Sequence, residues 1–244
     1  MSLPSTYDLT FERMLGEVAD AAGDPDVPLV PFWPLRGARY DTELLVIGRS
    51  VNGWIDDWTS HQLQDPMVRR QVVEYMRHDA EPEDHDRMAW VGDLWGATSG
   101  YNTRRSAFWR VLRRISGGAD AREDWPSRLV WTNLYKVSPA AGWNPGANLQ
   151  RAQRASACEL LSLELEVFAP RRVLALTGGW IAPFTDGLGL TLDARSGLVE
   201  GVGSSAGRAW VVAKHPMRKP EDRFVEEVLG AFAELGIPLI KGRA

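Results

Sequence analysis

The chain contains a single cysteine, Cys158, and has no long apolar segment. One cysteine excludes an internal disulfide framework and favours a reducing compartment. No apolar run approaches the ~20 residues that a membrane helix requires. The first residues also lack the basic and apolar regions of a signal peptide. We therefore expect a cytoplasmic protein that has no membrane segment.

An excess of positive charge is also missing, since the formal net charge is −4. This balance argues against broad electrostatic adhesion to nucleic acid, but it leaves room for a local basic cleft. With 244 residues, of which 44% are hydrophobic, the chain can bury a sizeable core. We expect one domain over residues 1–244 and a monomer.

Apolar runs alternate with amphipathic segments along the chain. Four short apolar runs predict buried strands at 43–48, 129–134, 172–177 and 209–213. Helical spacing predicts the main helices at 6–22, 104–115, 148–168 and 222–235. This alternation predicts an α/β fold, a three-layer α/β/α sandwich with a mostly parallel four-stranded central sheet.

The segment between the first two strands has a different composition. Residues 51–100 are rich in Trp, Asp and His, with a helical piece at 65–77 and an acidic patch at 79–86. We interpret this segment as an insertion or lid. The proline-rich stretch 25–34 is expected to be connecting chain.

The last predicted strand runs directly into His215-Pro216-Met217-Arg218-Lys219-Pro220. A strand that ends in a proline-braced loop holds the imidazole at the carboxyl edge of the sheet. Open α/β folds bind their ligands at that edge. This loop is the first candidate for chemistry.

The order of these elements resembles the uracil-DNA glycosylase superfamily over about residues 43 to 235. The resemblance rests on short motifs in sequence order: Ile47-Gly48, Phe108-Trp109-Arg110-Val111-Leu112, Trp131-Thr-Asn-Leu134, Val173-Leu-Ala-Leu176 and Lys214-His215-Pro216. It implies hydrolysis of the N-glycosidic bond of uracil or a related damaged base in DNA. The target base would be flipped out of the duplex, and no cofactor is expected.

The resemblance also implies roles for individual residues. Asn52 would position the attacking water, and His215 would donate a hydrogen bond to the base carbonyl as it gains charge. Asn133 would read the edge of the pyrimidine. The other expected substrate contacts are Gly48, Ser50 and Gly53 in the first loop and the rings of Tyr101 and Phe108.

Basic residues fall in the loops expected at the same sheet edge, where they would contact DNA phosphates. They are Arg104, Arg105, Lys136, Lys214, Arg218 and Lys219. A solvated face is the simpler interpretation of such a scattered set. Three of the substrate candidates also have a purely structural interpretation. Phe108 would pack in the core, Asn52 would form a turn, and Asn133 would cap a strand end.

Departures from the family pattern support a second hypothesis, a binding module of the same fold that does not cleave bases. The first loop, Gly48 to Gly53, lacks a proline and an acidic water activator. Met217 stands where the family has serine, and Lys219 stands at the place of an apolar wedge.

Two further hypotheses come from other classes of site. Ser50 follows the first strand and would act as a hydrolase nucleophile if His215 and Asp222 completed a triad, although no nucleophile-elbow motif surrounds it. A metal site is the weaker idea, with an acidic loop as the alternative interpretation. Its candidate ligands are His78, Asp79, Glu81, Asp84, His85 and Asp86.

Overall fold

The structure is a computed structural model of the chain, and it describes residues 2–51, 57–80, 86–117, 124–142 and 144–236. Within these residues the α-helices are α1 (Ser5–Ala21), α2 (Ser60–Gln64), α3 (Pro66–Ala80), α4 (Ala89–Asp93), α5 (Ala107–Gly117), α6 (Ala147–Phe168) and α7 (Glu221–Glu234). Short 3-10 segments lie at Thr103–Arg105, Trp125–Arg128 and Gly178–Phe184. None of the helices in the described ranges combines the length and hydropathy needed to cross a membrane.

The strands are β1 (Pro28–Pro31), β2 (Leu35–Arg36), β3 (Leu44–Ser50), β4 (Trp58–Thr59), β5 (Leu129–Tyr135), β6 (Val137–Pro139), β7 (Arg172–Ala175), β8 (Thr191–Ala194), β9 (Val199–Ser205) and β10 (Arg208–Ala213). The α/β class predicted from the sequence is therefore confirmed. The four predicted strands correspond to β3, β5, β7 and β10.

These four strands lie side by side in the order β5-β3-β7-β10. Strand β7 pairs in parallel with both β3 and β10. The sheet has seven strands, however, because β2 is added antiparallel at one edge, while β9 and β8 form an antiparallel extension beyond β10. The prediction of four strands was too small, since the added strands are short or glycine-rich and polar.

The chain divides into two compact units. The first unit comprises Met1–Pro34, Gly48–Pro82 and Thr132–Ala169, and the second comprises Leu35–Ile47, Glu83–Trp131 and Pro170–Ala244. The division falls within β3 and β5. The segment 51–100, predicted as one insertion, is shared between the two units.

The first unit contains an antiparallel sheet in the order β4-β1-β6 and the packed helix pair α1 and α6. Helix α1 buries one apolar face that includes Phe11, Met14 and Val18. Helix α6 ends at Phe168, and its C-cap residue, Ala169, has a left-handed backbone (φ 43°) and precedes Pro170. The proline-rich stretch 25–34 was expected to lack secondary structure, but it contains β1 because its apolar residues pair with β4 and β6.

The second unit carries the loop that contains His215. Strand β10 ends at Ala213, and α7 begins at Glu221, so the loop connects a central strand to a helix. Helix α7 packs against β9, β10 and α5 and buries Phe224, Val228 and Phe232. A strand and a helix that are both anchored in the core therefore hold the two ends of the loop.

Candidate functional site

Backbone hydrogen bonds fix the shape of the loop around His215. The Lys214 N–H donates to the carbonyl of Leu198 at 2.8 Å, and the Lys219 N–H donates to the carbonyl of Pro216 at 3.0 Å. Arg218 has a positive φ of 60°, which closes the turn. The loop therefore has a defined conformation, in which Pro216 is buried and Met217 is exposed.

The orientation of the His215 ring follows from a contact within the same loop. The Met217 N–H donates to His215 Nδ1 at 3.3 Å. A nitrogen that accepts a hydrogen bond carries no proton, so in the neutral ring the proton is on Nε2. The loop thus selects the tautomer in which Nε2 is a hydrogen-bond donor.

Phe108, at the start of α5, is the aromatic partner of this histidine. Its ring lies 6.3 Å from the His215 ring, and the two planes are inclined by only 26°. Phe108 in turn packs edge-on against Trp109 at 4.9 Å and tilts against Trp131 at 6.3 Å. The half-buried Phe108 ring therefore connects the imidazole to the aromatic core of the second unit.

Arg110, two residues after Phe108 in the first turn of α5, stabilises this arrangement. Its guanidinium Nε donates to the Glu221 carboxylate at 2.9 and 3.2 Å, and Nη2 makes a further contact with Oε1. Its Nη1 donates to the carbonyl of Arg104 at 2.8 Å. Arg110 thereby connects the Thr103–Arg105 turn to the first residue of α7, directly after the histidine loop. The sequence predicted a helix here but no partner for Arg110.

Tyr101 lies in a loop that is held together by Asn102. The Asn102 side-chain oxygen accepts from the backbone N–H groups of Gly96 and Arg104, at 3.1 and 3.0 Å. Its amide nitrogen donates to the carbonyl of Ala97 at 2.7 Å. Sequence reasoning missed the role of Asn102, although an asparagine shortly after serine and glycine is typical of such a turn.

Five of the six predicted phosphate contacts lie in the second unit. Arg104, Arg218 and Lys219 are exposed, and Lys214 is half-buried. Arg105, beside Arg104, is also exposed. Within the described parts of the chain, none of these side chains forms an ion pair. They are therefore available to an anionic ligand.

The prediction for Lys136 needs correction. Its ammonium is fully buried in the first unit, 2.6 Å from Glu164 Oε1, and donates to the Thr132 hydroxyl at 2.7 Å. The Tyr7 hydroxyl donates to Glu164 Oε1 at 2.6 Å, and the Thr132 hydroxyl donates to Oε2 at 2.7 Å. Burial lowers the pKa of Lys136, and Glu164 partly offsets this. Lys136 is a structural cation because a phosphate cannot reach it.

The first unit also contains the other predicted substrate contacts. Gly48 is buried at the end of β3, and Asn133 is 1% exposed on β5. The Asn133 amide nitrogen has no hydrogen-bond partner in the described part of the chain. Asn52, the predicted water-positioning residue, and Gly53 lie outside the described residues.

The structure does not favour Ser50 as a nucleophile. The Ser50 hydroxyl donates to the side-chain oxygen of Asn144 at 3.0 Å, and an amide oxygen cannot accept the proton in catalysis. Asp222, the carboxylate suggested for a triad, instead pairs with Arg114 at 2.9 Å.

The proposed metal ligands have other positions or lie outside the described residues. The Asp86 carboxylate accepts from the N–H groups of Ala38 and Met88, and also from the Ser127 hydroxyl. His78 lies on α3 in the first unit. Within the ranges that the structure describes, no group of three or more candidate ligands could hold a metal ion. Glu81, Asp84 and His85 fall outside those ranges.

Comparison with known proteins does not assign a family, because neither a family model nor a curated protein matches the chain. The chemistry of the site must therefore be inferred from its own residues. In the second unit these are His215, its aromatic neighbour Phe108, and Arg110 with its partners Glu221 and the Arg104 carbonyl.

Proposed function

We propose that the chain is a DNA glycosylase-like hydrolase that cleaves the N-glycosidic bond of uracil or a related damaged base. The observation that carries this proposal is the His215 ring. Its Nδ1 accepts from the backbone of its own loop, so Nε2 is the donor, and its face lies beside Phe108.

This geometry suits the charge that develops in the reaction. When the glycosidic bond breaks, its electron pair moves into the base, and a base carbonyl oxygen gains negative charge. A fixed N–H donor stabilises the negatively charged oxygen of the transition state more than the uncharged oxygen of the ground state. The difference lowers the activation barrier for bond cleavage. Removing one such donor typically costs about 10²- to 10³-fold in rate.

Asn133 supports the same proposal from the first unit. A buried amide N–H without a partner costs roughly 1–3 kcal/mol, so an unpaired donor at this position needs an explanation. An asparagine amide has both donor and acceptor atoms, which match the edge of a pyrimidine such as uracil.

The proposal includes a finer architecture, the three-layer α/β/α sandwich of the uracil-DNA glycosylase superfamily. It is supported by the four adjacent central strands. Strand β3, the first of these four in the chain, lies between the second and the third, β5 and β7. Such a reversal of strand order is the place where open α/β sheets bind ligands.

A base-release assay tests the activity. Purified protein would be incubated with single- and double-stranded oligonucleotides that contain uracil, hypoxanthine or xanthine, alongside His215→Ala. The matched control is His61→Ala, which changes an exposed histidine on α2 of the first unit. We expect the wild type and H61A to release base, and H215A to lose about 10²-fold or more in rate. Equal release by H215A, or no release by the folded wild type, would refute the proposal.

A second candidate is the binding module without base cleavage. The exposed cations of the second unit favour it, and so does the lack of an acidic residue in the sequence from Gly48 to Gly53. For this candidate we expect salt-sensitive retention of DNA and no released base from any substrate.

A further inference from the structure

We propose that Tyr101 and the Thr103–Arg105 turn form a subsite for an unpaired nucleotide, so that the partner is a single-stranded segment of nucleic acid. This rests on the proposed function only in taking nucleic acid as the ligand. The base that binds at Tyr101 is not the reacting base, and its binding requires no cleavage.

The Tyr101 ring is placed as a stacking platform. It is 54% exposed, yet it contacts the ring of Trp90 at 6.2 Å with the planes tilted by 44°. Trp90 in turn packs edge-on against the buried Trp109 at 5.4 Å. A tyrosine supported from behind by the aromatic core can offer its exposed side to a base at low entropic cost.

Hydrogen bonds within the protein fix the loop that bears Tyr101. The Asn102 side chain takes part in three of them, since its oxygen accepts two hydrogen bonds and its amide nitrogen donates one. Next in sequence, the buried Thr103 donates its hydroxyl to the Val91 carbonyl at 2.8 Å and its backbone N–H to the Leu94 carbonyl at 3.2 Å. Binding therefore needs little further ordering of this loop, which preserves affinity.

Cations for the phosphates lie on both sides of Arg110. Arg104 and Arg105 are exposed in the turn, and Arg110 connects the Arg104 carbonyl to Glu221 at the end of the histidine loop. That loop presents Arg218 and Lys219. No carboxylate within the described residues neutralises these four cations, although the chain as a whole is acidic. The two loops that Arg110 joins can therefore both supply cations to the phosphates of one strand.

Two exposed apolar groups, the Tyr101 ring and the Met217 thioether, indicate that the nucleic acid is unpaired where it binds. In a duplex each base face is covered by its neighbours, so a protein ring can stack only on a base that has left the helix or was never paired. The second exposed apolar group is Met217, in the loop that contains His215, and it is 61% accessible. Within the described residues, these two apolar groups lie in the same two loops as the four cations that have no ion-pair partner. A single strand offers both base faces and phosphates, so it matches this combination.

Binding to oligonucleotides that contain no uracil tests this inference independently of catalysis. The probes are fluorescein-labelled dA12, rA12 and the dA12·dT12 duplex, and fluorescence anisotropy is measured with the full chain at several salt concentrations. The variants are Tyr101→Ala, Tyr101→Phe and the pair Arg104→Gln and Arg105→Gln. Leu9→Ala is the matched control, since Leu9 is 66% exposed on α1 of the first unit.

We expect the single strands to bind more tightly than the duplex. Y101A should weaken single-strand binding by about 5- to 150-fold, while Y101F and L9A should retain it. The arginine pair should lower the salt slope by about 1.4, which corresponds to two phosphate contacts on a single strand. Tighter binding of dA12 would identify DNA as the source of the strand, and tighter binding of rA12 would identify RNA.

Duplex binding as tight as single-strand binding, or unchanged binding by Y101A, would overturn the inference. Failure of the proposed function has a different signature. In that case the protein would release no base but would still bind dA12 in a manner that depends on Tyr101.

Discussion

Replacing Glu164 by glutamine removes the negative charge at the centre of the buried network of the first unit. Glu164, Lys136, Tyr7 and Thr132 are all fully buried, and three donors converge on the carboxylate. The neutral amide leaves the Lys136 ammonium without a counter-charge in the core. Breaking a buried ion pair by changing one partner typically costs about 3–5 kcal/mol. We expect a loss of this size in the free energy of unfolding of E164Q.

The chain offers a matched control on the same pair of helices. Glu159, also on α6, pairs with Arg13 of α1 at 2.5 Å, and both side chains are about half exposed, 50% and 52%. Glu159→Gln should cost about 1 kcal/mol or less, because water solvates both partners. Urea unfolding followed by tryptophan fluorescence measures both variants. Equal losses in E164Q and E159Q would refute the reasoning.

Two further measurements separate loss of charge from loss of shape. The double variant Lys136→Met with Glu164→Gln should recover much of the stability, because it leaves no buried charge.

Burial lowers the pKa of Lys136, and E164Q removes the opposing effect of the carboxylate. Above this lowered pKa, and up to the ordinary lysine value, the unfolded chain binds more protons, so stability rises with pH. The deficit of E164Q should therefore shrink towards about pH 10, whereas parallel pH profiles would contradict this account.

Three other changes should have distinct results. Glu221→Gln should cost about 1 kcal/mol or less but speed amide hydrogen exchange in the loop that precedes α7, since that carboxylate anchors Arg110. Gly203→Ala should destabilise by roughly 1–3 kcal/mol, because its Cβ would lie 2.1 Å from the Thr191 carbonyl oxygen. Gly230→Ala, in open space on α7, should instead stabilise by about 0.5–1 kcal/mol in thermal or urea unfolding. Burial raises the pKa of the Cys158 thiol, so a thiol reagent should label the native chain more slowly than the unfolded chain, and faster at alkaline pH.

Local sequence patterns determined most of the central elements. The amphipathic spacing of 6–22 and 148–168 predicted α1 and α6 to within one residue at each end, and the four apolar runs predicted the central strands. The loop around His215 also follows from local features, since an apolar strand leads into two prolines. Such features can be read from the sequence because neighbouring residues decide them.

The partners of polar side chains were decided by the tertiary structure. Lys136 follows an apolar strand and precedes a loop, which resembles an exposed position, but Glu164 from α6 neutralises it in the core. Glu164 itself lies among the buried apolar residues of that helix, which is the one local sign that it has a buried partner. Arg110 and Glu221 are 111 residues apart, so no local pattern could pair them.

Tertiary contacts also decided the edge strands and the surroundings of Tyr101. Strands β8 and β9 are short, polar or glycine-rich, so they form only because a neighbouring strand offers an edge: β10 for β9, and β9 for β8. The sequence predicted Tyr101 and Phe108 as aromatic candidates. In the structure Tyr101 contacts Trp90 and stays exposed, whereas Phe108 packs against Trp109 and Trp131 and lies beside His215. Sequence alone therefore determined the central strands, the main helices and their order along the chain. Tertiary packing decided which charges are buried and which remain available, because burial depends on residues that are distant in the chain.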